Sequence, residues 1–496
     1  MTQTTTAPAT EPTQAPNNRL VALGTVVVLG IIMSILDATI VNVATRTLGE
    51  TFHTSISTIQ WVLTGYLLAF AAVIPITGWA SERFGAKRVW IAALLLFTAG
   101  SALSGAAWSV GALIAFRLVQ GIGGGIILPV GQTILGQAAG PQRMGRVMSA
   151  IGIPLLMGSV AGPVIGGLII DTIGWRWIFF VNLPLGVVAV VAALRLLPKS
   201  APQPRQRLDV RGLALLSSGV AAFIYGMSEA GAHGGFGGAR ALAGMVIGAA
   251  LVVLYVVHAY VRGEGALIDV SLFRRRDFAA AAATNLAVAV ALFGVLVLLP
   301  LYWQVVRGES PLATGLLLMP QALGAAAAMP LAGRLTDKVG AGVVVPVGIV
   351  LGLIGTGVYT QVGSHTSHAV LFGALFVIGL GLGTTIMPAM AAAYAALPRA
   401  AMPRATSALN TIQRIGASIG TAVLAVVLQR AITADAPGLG GAALGPLPSG
   451  ARTQVAEALA HAFDQAYWVA FALMIVAIVP ALLLPRTAKS KEQVKE

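Results

Sequence analysis

The chain has 496 residues, 57% of them hydrophobic and only 10% charged, with a formal net charge of +14 and a mean hydropathy of +0.86. A soluble domain carries about 25% charged residues, and 31 basic plus 17 acidic side chains cannot clothe a soluble chain of this length. Soluble and disordered classes are excluded, and the absence of cysteine excludes a disulfide framework, a thiolate metal site and a cysteine nucleophile.

A membrane-spanning helix needs roughly 20 apolar residues. In chain order such runs occur at 19–45, 57–79, 88–108, 110–139, 146–171, 175–198, 210–229, 239–261, 277–304, 311–334, 341–362, 366–396, 403–431 and 464–485. Residues 1–18 are Thr/Pro/Ala-rich without Lys or Arg. They lack the basic start of a signal peptide and read as a disordered cytoplasmic tail. With the N-terminus inside, 23 of the 31 basic residues fall in cytoplasmic segments and six on the outer side, while Arg117 and Arg414 lie within runs. That is the bias expected of cytoplasmic loops, so the net charge reads as topology, with both termini inside and no nucleic-acid partner. The predicted fold class is an all-α polytopic membrane protein of 14 transmembrane helices. Residues 199–209 and 262–276 form basic cytoplasmic linkers, dividing the chain into a six-helix bundle (19–198), two inserted helices (210–261) and a second six-helix bundle (277–486). The latter includes a long outer loop at 432–463, helical in pattern from about Ala451, and is followed by a cytoplasmic tail at 487–496.

The two bundles share a repeat. Gly78, Glu82, Arg83 and Gly85 follow the second run, and Gly333, Asp337, Lys338 and Gly340 follow the tenth, both reading G-x-x-x-[acid]-[base]-x-G. The acid ends one helix, the base neutralises it, and the second glycine permits the turn into the next helix. Parallel six-helix repeats are a transporter plan.

Charges inside a span call for a partner and a role. Asp37 sits roughly 12 Å and Arg117 roughly 10 Å from the outer ends of the first and fourth runs, at 1.5 Å per residue. Their depths match, so they can pair across the first bundle. Desolvation disfavours an ionised carboxylate and a neighbouring guanidinium favours it. A pair formed in only one conformation therefore couples proton binding to the transport cycle; a static structural pair is the plain alternative. Trp61, Tyr66, Phe293, Tyr302, Trp303, Met319 and Met390, with Gln321 and Arg414, are the candidates to line a substrate cavity, because aromatic and Met side chains give adaptable apolar contacts. Arg414, midway along the thirteenth run, is within reach of backbone carbonyls of the tenth. Gly121 to Gly125 sit inside an apolar span with no preceding strand, so they serve close helix packing and not a dinucleotide loop. His365 and His368 lie in an outer turn without an acid, and no metal site is expected.

The loop at 78–88 resembles the loop 2–3 motif of the major facilitator superfamily, with Glu82 for the usual Asp and Ala86 for a usual basic residue. Leu36 to Ala44, Trp61 to Tyr66 and Trp175 to Pro184 are similar to signatures of its fourteen-helix drug:proton antiporter subfamily, a group of multidrug efflux transporters. Arg117-Leu-Val-Gln120-Gly121 resembles the fourth-helix motif, Gly158 to Gly167 the fifth-helix antiporter motif, and Ser407 to Gly420 the thirteenth-helix pattern. The resemblance implies proton coupling or substrate contact at Asp37, Arg117 and Asn42. It also implies conformational gating by Gly78, Glu82, Arg83, Gly85, Asp337, Lys338 and Gly340. Bending or sliding of the fifth helix falls to Gly158, Gly162, Pro163, Gly166 and Gly167, where Pro163 supplies a kink.

The expected function is proton-coupled efflux of amphiphilic drugs or antibiotics by alternating access, antibiotic resistance included. A dedicated exporter of one secreted metabolite, or an importer or uniporter, shares the same fold. An ATP-driven pump is disfavoured because no G-x-x-x-x-G-K-[ST] loop occurs, and an enzyme because the buried catalytic groups are too few. No cofactor is expected, only a proton gradient, and the partners are a small amphiphilic substrate, protons and the bilayer, with the protein a monomer. Some members of the family that handle bulky cations carry a further acid in the tenth helix; this run has Gln321 and no acid, so the resemblance disfavours dicationic dyes and leaves neutral, monocationic and zwitterionic compounds. The Ala/Gly/Arg-rich composition points to a bacterium of high genomic GC and so to an inner-membrane location.

Overall fold

The computed structural model describes residues 17–140, 143–198, 207–395, 397–435 and 449–486. The tails at 1–16 and 487–496, most of the 199–209 linker and the 436–448 part of the expected outer loop lie outside the described residues. Every regular element among the described residues is a helix. The first bundle comprises α1 (Asn17–Val43), α2 (Thr45–Thr51), α3 (Ile56–Val73), α4 (Thr77–Phe84), α5 (Ala86–Gly105), α6 (Val110–Ala139), α7 (Met144–Thr172), α8 (Trp177–Phe180) and α9 (Asn182–Leu196). Then come α10 (Val210–Ala232) and α11 (Ala239–Arg262). The second bundle comprises α12 (Arg276–Leu301), α13 (Pro311–Leu317), α14 (Met319–Val339), α15 (Ala341–Tyr359), α16 (His368–Ala395), α17 (Met402–Asp435) and α18 (Ser449–Leu482).

Thirteen helices among the described residues are long and apolar enough to cross a membrane, and the fifth expected run is occupied by the continuous helix α7. The side chain of Pro163 lies outside the described residues. Helix starts follow local chemistry. Ser55, Ser109 and Ser310 each accept a hydrogen bond from the backbone N–H three residues on, which satisfies a donor the first turn leaves free. Pro75 interrupts the α3–α4 rod with a short 3₁₀ turn, Ile74–Ile76, because proline cannot donate to the helical ladder.

The stretch expected to be helical from about Ala451 is the start of α18. The polar face of α18 bonds the turn after α15, with Asp464 Oδ1 accepting from Val362 N at 3.0 Å and Glu457 accepting from the Ser364 hydroxyl. Within the basic linker at 262–276, Leu267, Ile268 and Leu272 are buried. Tyr255 Oη accepts from Ile268 N at 2.7 Å, which fixes the linker against α11. At the start of α10, burial opposes ionisation of Asp209, yet its hydrogen bonds with His258 and Gly212 N hold its carboxyl below the ordinary value.

Helix α10 packs along α11 and reaches α3 and α17, where Tyr225 stacks on Trp61 at 6.1 Å between centroids. The inserted pair thus lies against both bundles. The repeat glycines Gly85 and Gly340 turn the chain between successive helices with φ of 86° and 84°, a region L side chains rarely adopt. We expect Gly85→Ala to destabilise the detergent-solubilised protein by about 1–3 kcal/mol of backbone strain, seen as a lowered thermal midpoint in tryptophan fluorescence. Gly167→Ala should leave the midpoint unchanged or raised, since a Cβ there meets nothing within 4 Å.

Candidate transport site

The two repeat loops stand at one end of the molecule, the motif end, and there the bundles touch. Glu82 of α4 pairs with Arg404 of α17, Nε to Oε2 at 3.1 Å. Asp337 of α14 pairs with Arg146 of α7, Nε to Oδ2 at 3.0 Å, and also accepts from Gly145 N at 2.8 Å. Each acid thus reaches an arginine of the opposite bundle, a correction to the expectation that the adjacent base neutralises it. Lys338 is exposed and Arg83 half-buried. The first glycine of each repeat allows the approach. A Cβ on Gly78 would stand 3.0 Å from Arg404 Cα, and one on Gly333 would stand 2.8 Å from Gly145 O.

One face of α17 shows how the contact gives way to a cavity. Residues three apart share a helix face, and Arg404, Ser407, Asn410 and Gln413 climb it turn by turn. Arg404 holds Glu82. Ser407 Oγ bonds the carbonyls of Ile74 and Pro75, both at 3.0 Å, capping the proline break. Asn410 Nδ2 donates to Gln132 Oε1 of α6 at 2.8 Å. Above that, Gln413, Arg414 and Ala417 line a central cavity of about 220 Å³, with Ser34, Thr39, Tyr66, Phe70, Phe293 and Met387 among the other walls. Gln132 stands between the closed motif end and this space.

Of the sequence candidates, Tyr66, Phe293 and Arg414 line this cavity. Met390 is buried and receives Gln132 Nε2 at its sulfur, and Gln321 is buried against α16. Trp61 and Met319 are exposed on the outside of the bundle. Tyr302 and Trp303 are fully buried within the second bundle, where Tyr302 packs on Tyr359 and Phe463 and donates to Gly363 O at 3.0 Å. Arg414 takes no backbone carbonyl of α14; its guanidinium lies over the Phe70 ring, 4.4 Å from the centroid.

Behind Tyr66, away from the cavity, lies the charge pair. Asp37 and Arg117 are fully buried, with Nη1 2.5 Å from Oδ2. Asp37 Oδ1 also accepts from Gln120 Nε2 at 2.8 Å and Asn182 Nδ2 at 3.0 Å. Gln120 Oε1 accepts from Arg117 Nη1 at 2.8 Å, and Asn182 Nδ2 reaches Ser101 Oγ. Every donor here suits an acceptor-only, ionised carboxylate. Arg117 Nη2 has no hydrogen-bond partner among the described residues. The guanidinium stacks under the Tyr66 ring, 4.1 Å from its centroid. Asn42 is not part of this site. It is exposed near the end of α1, and the asparagine on Asp37 is Asn182 from the start of α9. Gln120 and Asn182 both lie within the motif stretches of the fourth and sixth runs, which was the available signal. Gly158, Gly162 and Gly166 pack α7 against Ile35, Thr39 and Ile40 of α1, beside Asp37, whereas Gly167 points into open space.

A buried guanidinium–carboxylate pair between helices, a cavity between two repeated bundles and a closed motif end together mark the site of a membrane transporter. The description "Major Facilitator Superfamily" matches residues 27–421, and the chain belongs to this superfamily. It is similar to the multidrug resistance protein B homolog of Mycobacterium tuberculosis, 39% identical over 94% of this chain and 90% of that protein. It is also similar to the multidrug resistance protein Stp of the same organism, 32% identical over 81% of this chain and 74% of that protein. The proton:xylose symporter XylE shares the fold at a TM-score of 0.60 and 13% identity, covering 94% and 95% of the two chains. The protein is a multi-pass membrane transporter and not an enzyme.

Removing one member of a buried ion pair strands its partner and costs about 3–5 kcal/mol, whereas removing both is far milder. Asp37→Leu and Arg117→Met should each lower the thermal midpoint of the purified protein more than the double variant does; additive losses would count against the pair. At the motif end, a Cβ on Gly145 would stand 2.6 Å from Gly333 O and 2.8 Å from Asp337 Oδ1, closer than side chains approach. Gly145→Ala should therefore push the motif end apart and lower the thermal midpoint of the purified protein; an unchanged midpoint would count against this contact.

Proposed function

We propose that this chain is a drug:proton antiporter with fourteen transmembrane helices and both termini cytoplasmic, exporting amphiphilic compounds from a bacterium across its inner membrane. The topology rests on the excess of Lys and Arg in the segments assigned to the cytoplasm, and places the repeat loops and their ion pairs on that side. The cavity then faces outward in this conformation. The two bundles of 19–198 and 277–486 rock about the cavity, the inserted helices of 210–261 brace them, and the protein works as a monomer without a cofactor.

The observation that carries the coupling reading is the Asp37–Arg117 pair held directly behind Tyr66, a wall of the cavity. With the motif end closed, Asp37 is ionised and fully partnered. When the ion pairs of Glu82 and Asp337 open and the bundles rotate, α1 slides on the glycine face of α7 and Asp37 leaves Arg117, so that a proton takes the place of the guanidinium. Proton affinity then differs between the two conformations, the differential interaction that coupling requires. The names of the multidrug resistance relatives support drug export and antibiotic resistance.

The test is efflux of a fluorescent amphiphile from cells expressing the wild type or Asp37→Asn, with and without a protonophore. The expected result is extrusion by the wild type that stops with the protonophore and is lost in Asp37→Asn. Normal export by Asp37→Asn would overturn the assignment, and export insensitive to the protonophore would overturn proton coupling.

A further inference from the structure

Among the described residues that line the central cavity, Arg414 is the single charged one. No carboxylate among the described residues stands within ion-pair distance of it. Asp37 is fully buried on Arg117, Gln120 and Asn182, and Glu82 and Asp337 are engaged at the motif end. What Arg414 does touch is the face of Phe70. A cation inside a span and without a counter-charge is costly, and a ring face replaces only part of what water or an anion supplies. The rest of the lining is mainly apolar, with Ser, Thr, Tyr and Gln side chains as its polar members. The cavity therefore presents an apolar body with one guanidinium fork, the complement of an amphiphile with one oxyanion head.

We propose that Arg414 anchors the transported compound and that this compound is an amphiphile with a single carboxylate, a narrower and different class from the neutral, monocationic and zwitterionic compounds that the helix sequences leave open. The inference rests on the export reading above and names its substrate class. An anion on Arg414 neutralises the cavity. It also sits one ring from the coupling site, because Phe70 lies 6.0 Å from Tyr66 and Tyr66 covers Arg117. Outward movement of an anion is favoured by a membrane potential that is negative inside, so charge and proton gradient drive transport in the same direction.

The test uses the full chain and two probes of one skeleton, 11-(dansylamino)undecanoate and its methyl ester, with binding read by energy transfer from tryptophan. The expected result is that the wild type binds the carboxylate about tenfold or more tighter than the ester, the scale of a charged hydrogen bond. Arg414→Gln should abolish that difference while binding the ester as before, which also shows that it is folded, and Arg414→Lys should restore part of it. Equal binding of both probes by the wild type, or unchanged carboxylate binding by Arg414→Gln, overturns the proposal. Uptake into proteoliposomes under an imposed pH gradient is read separately. Arg414-dependent binding without gradient-driven uptake overturns the antiport reading and leaves the anion site standing. Gradient-driven uptake of the ester that is indifferent to Arg414→Gln, with no preference for the carboxylate, does the reverse.

Discussion

A carboxylate and a guanidinium facing each other inside a lipid-embedded bundle must satisfy one another, and the arrangement around them follows from that need. Asp37 accepts from Arg117, Gln120 and Asn182, which ties α1 to α6 and α9 at one depth. The apolar surroundings make each of these bonds strong and the loss of any one expensive. The cluster is held as one unit, and the Tyr66 ring lies between it and the cavity.

The motif end applies the same economy twice. Each repeat acid takes an arginine of the other bundle, and each leading glycine lets the two backbones meet. The pairs Glu82–Arg404 and Asp337–Arg146 are related by the repeat and lie on opposite sides of the bundle interface. Asp337 is deeply covered while Arg146 is more than half exposed, so this pair is screened from one side and can open at modest cost. Along α17 one face runs from Arg404 through Ser407 and Asn410 to Arg414, so a shift of that helix moves the closed end and the cavity wall together.

Helix positions were legible in the sequence because lipid imposes length and apolarity on each span; the run at 110–139 matches α6 from end to end. The Asp37–Arg117 contact was legible from matched depth alone. Asn42 was misplaced because it lies five residues beyond Asp37, roughly 7.5 Å along the helix and on another face, and a motif stretch does not say which of its members turns inward. The Glu82–Arg404 and Asp337–Arg146 pairs join residues 322 and 191 positions apart, contacts that the local charge pattern cannot express. Tyr302 and Trp303 were expected in the cavity for their chemistry, but their bulk fills the second bundle between α12, α15, α16 and α18. The start of α18 was legible as a helical pattern from about Ala451, although its polar face gives no apolar run.

The central claim is that opening the motif end changes whether Asp37 carries a proton. Infrared difference spectroscopy on the full chain with isotope-labelled aspartate tests it, comparing the wild type, closed at the motif end, with protein freed by Glu82→Gln and Asp337→Asn. The account predicts a protonated-carboxyl band at neutral pH in the freed protein alone, absent once Asp37→Asn is added. The same Asp37 signal in the wild type and the freed protein would contradict it.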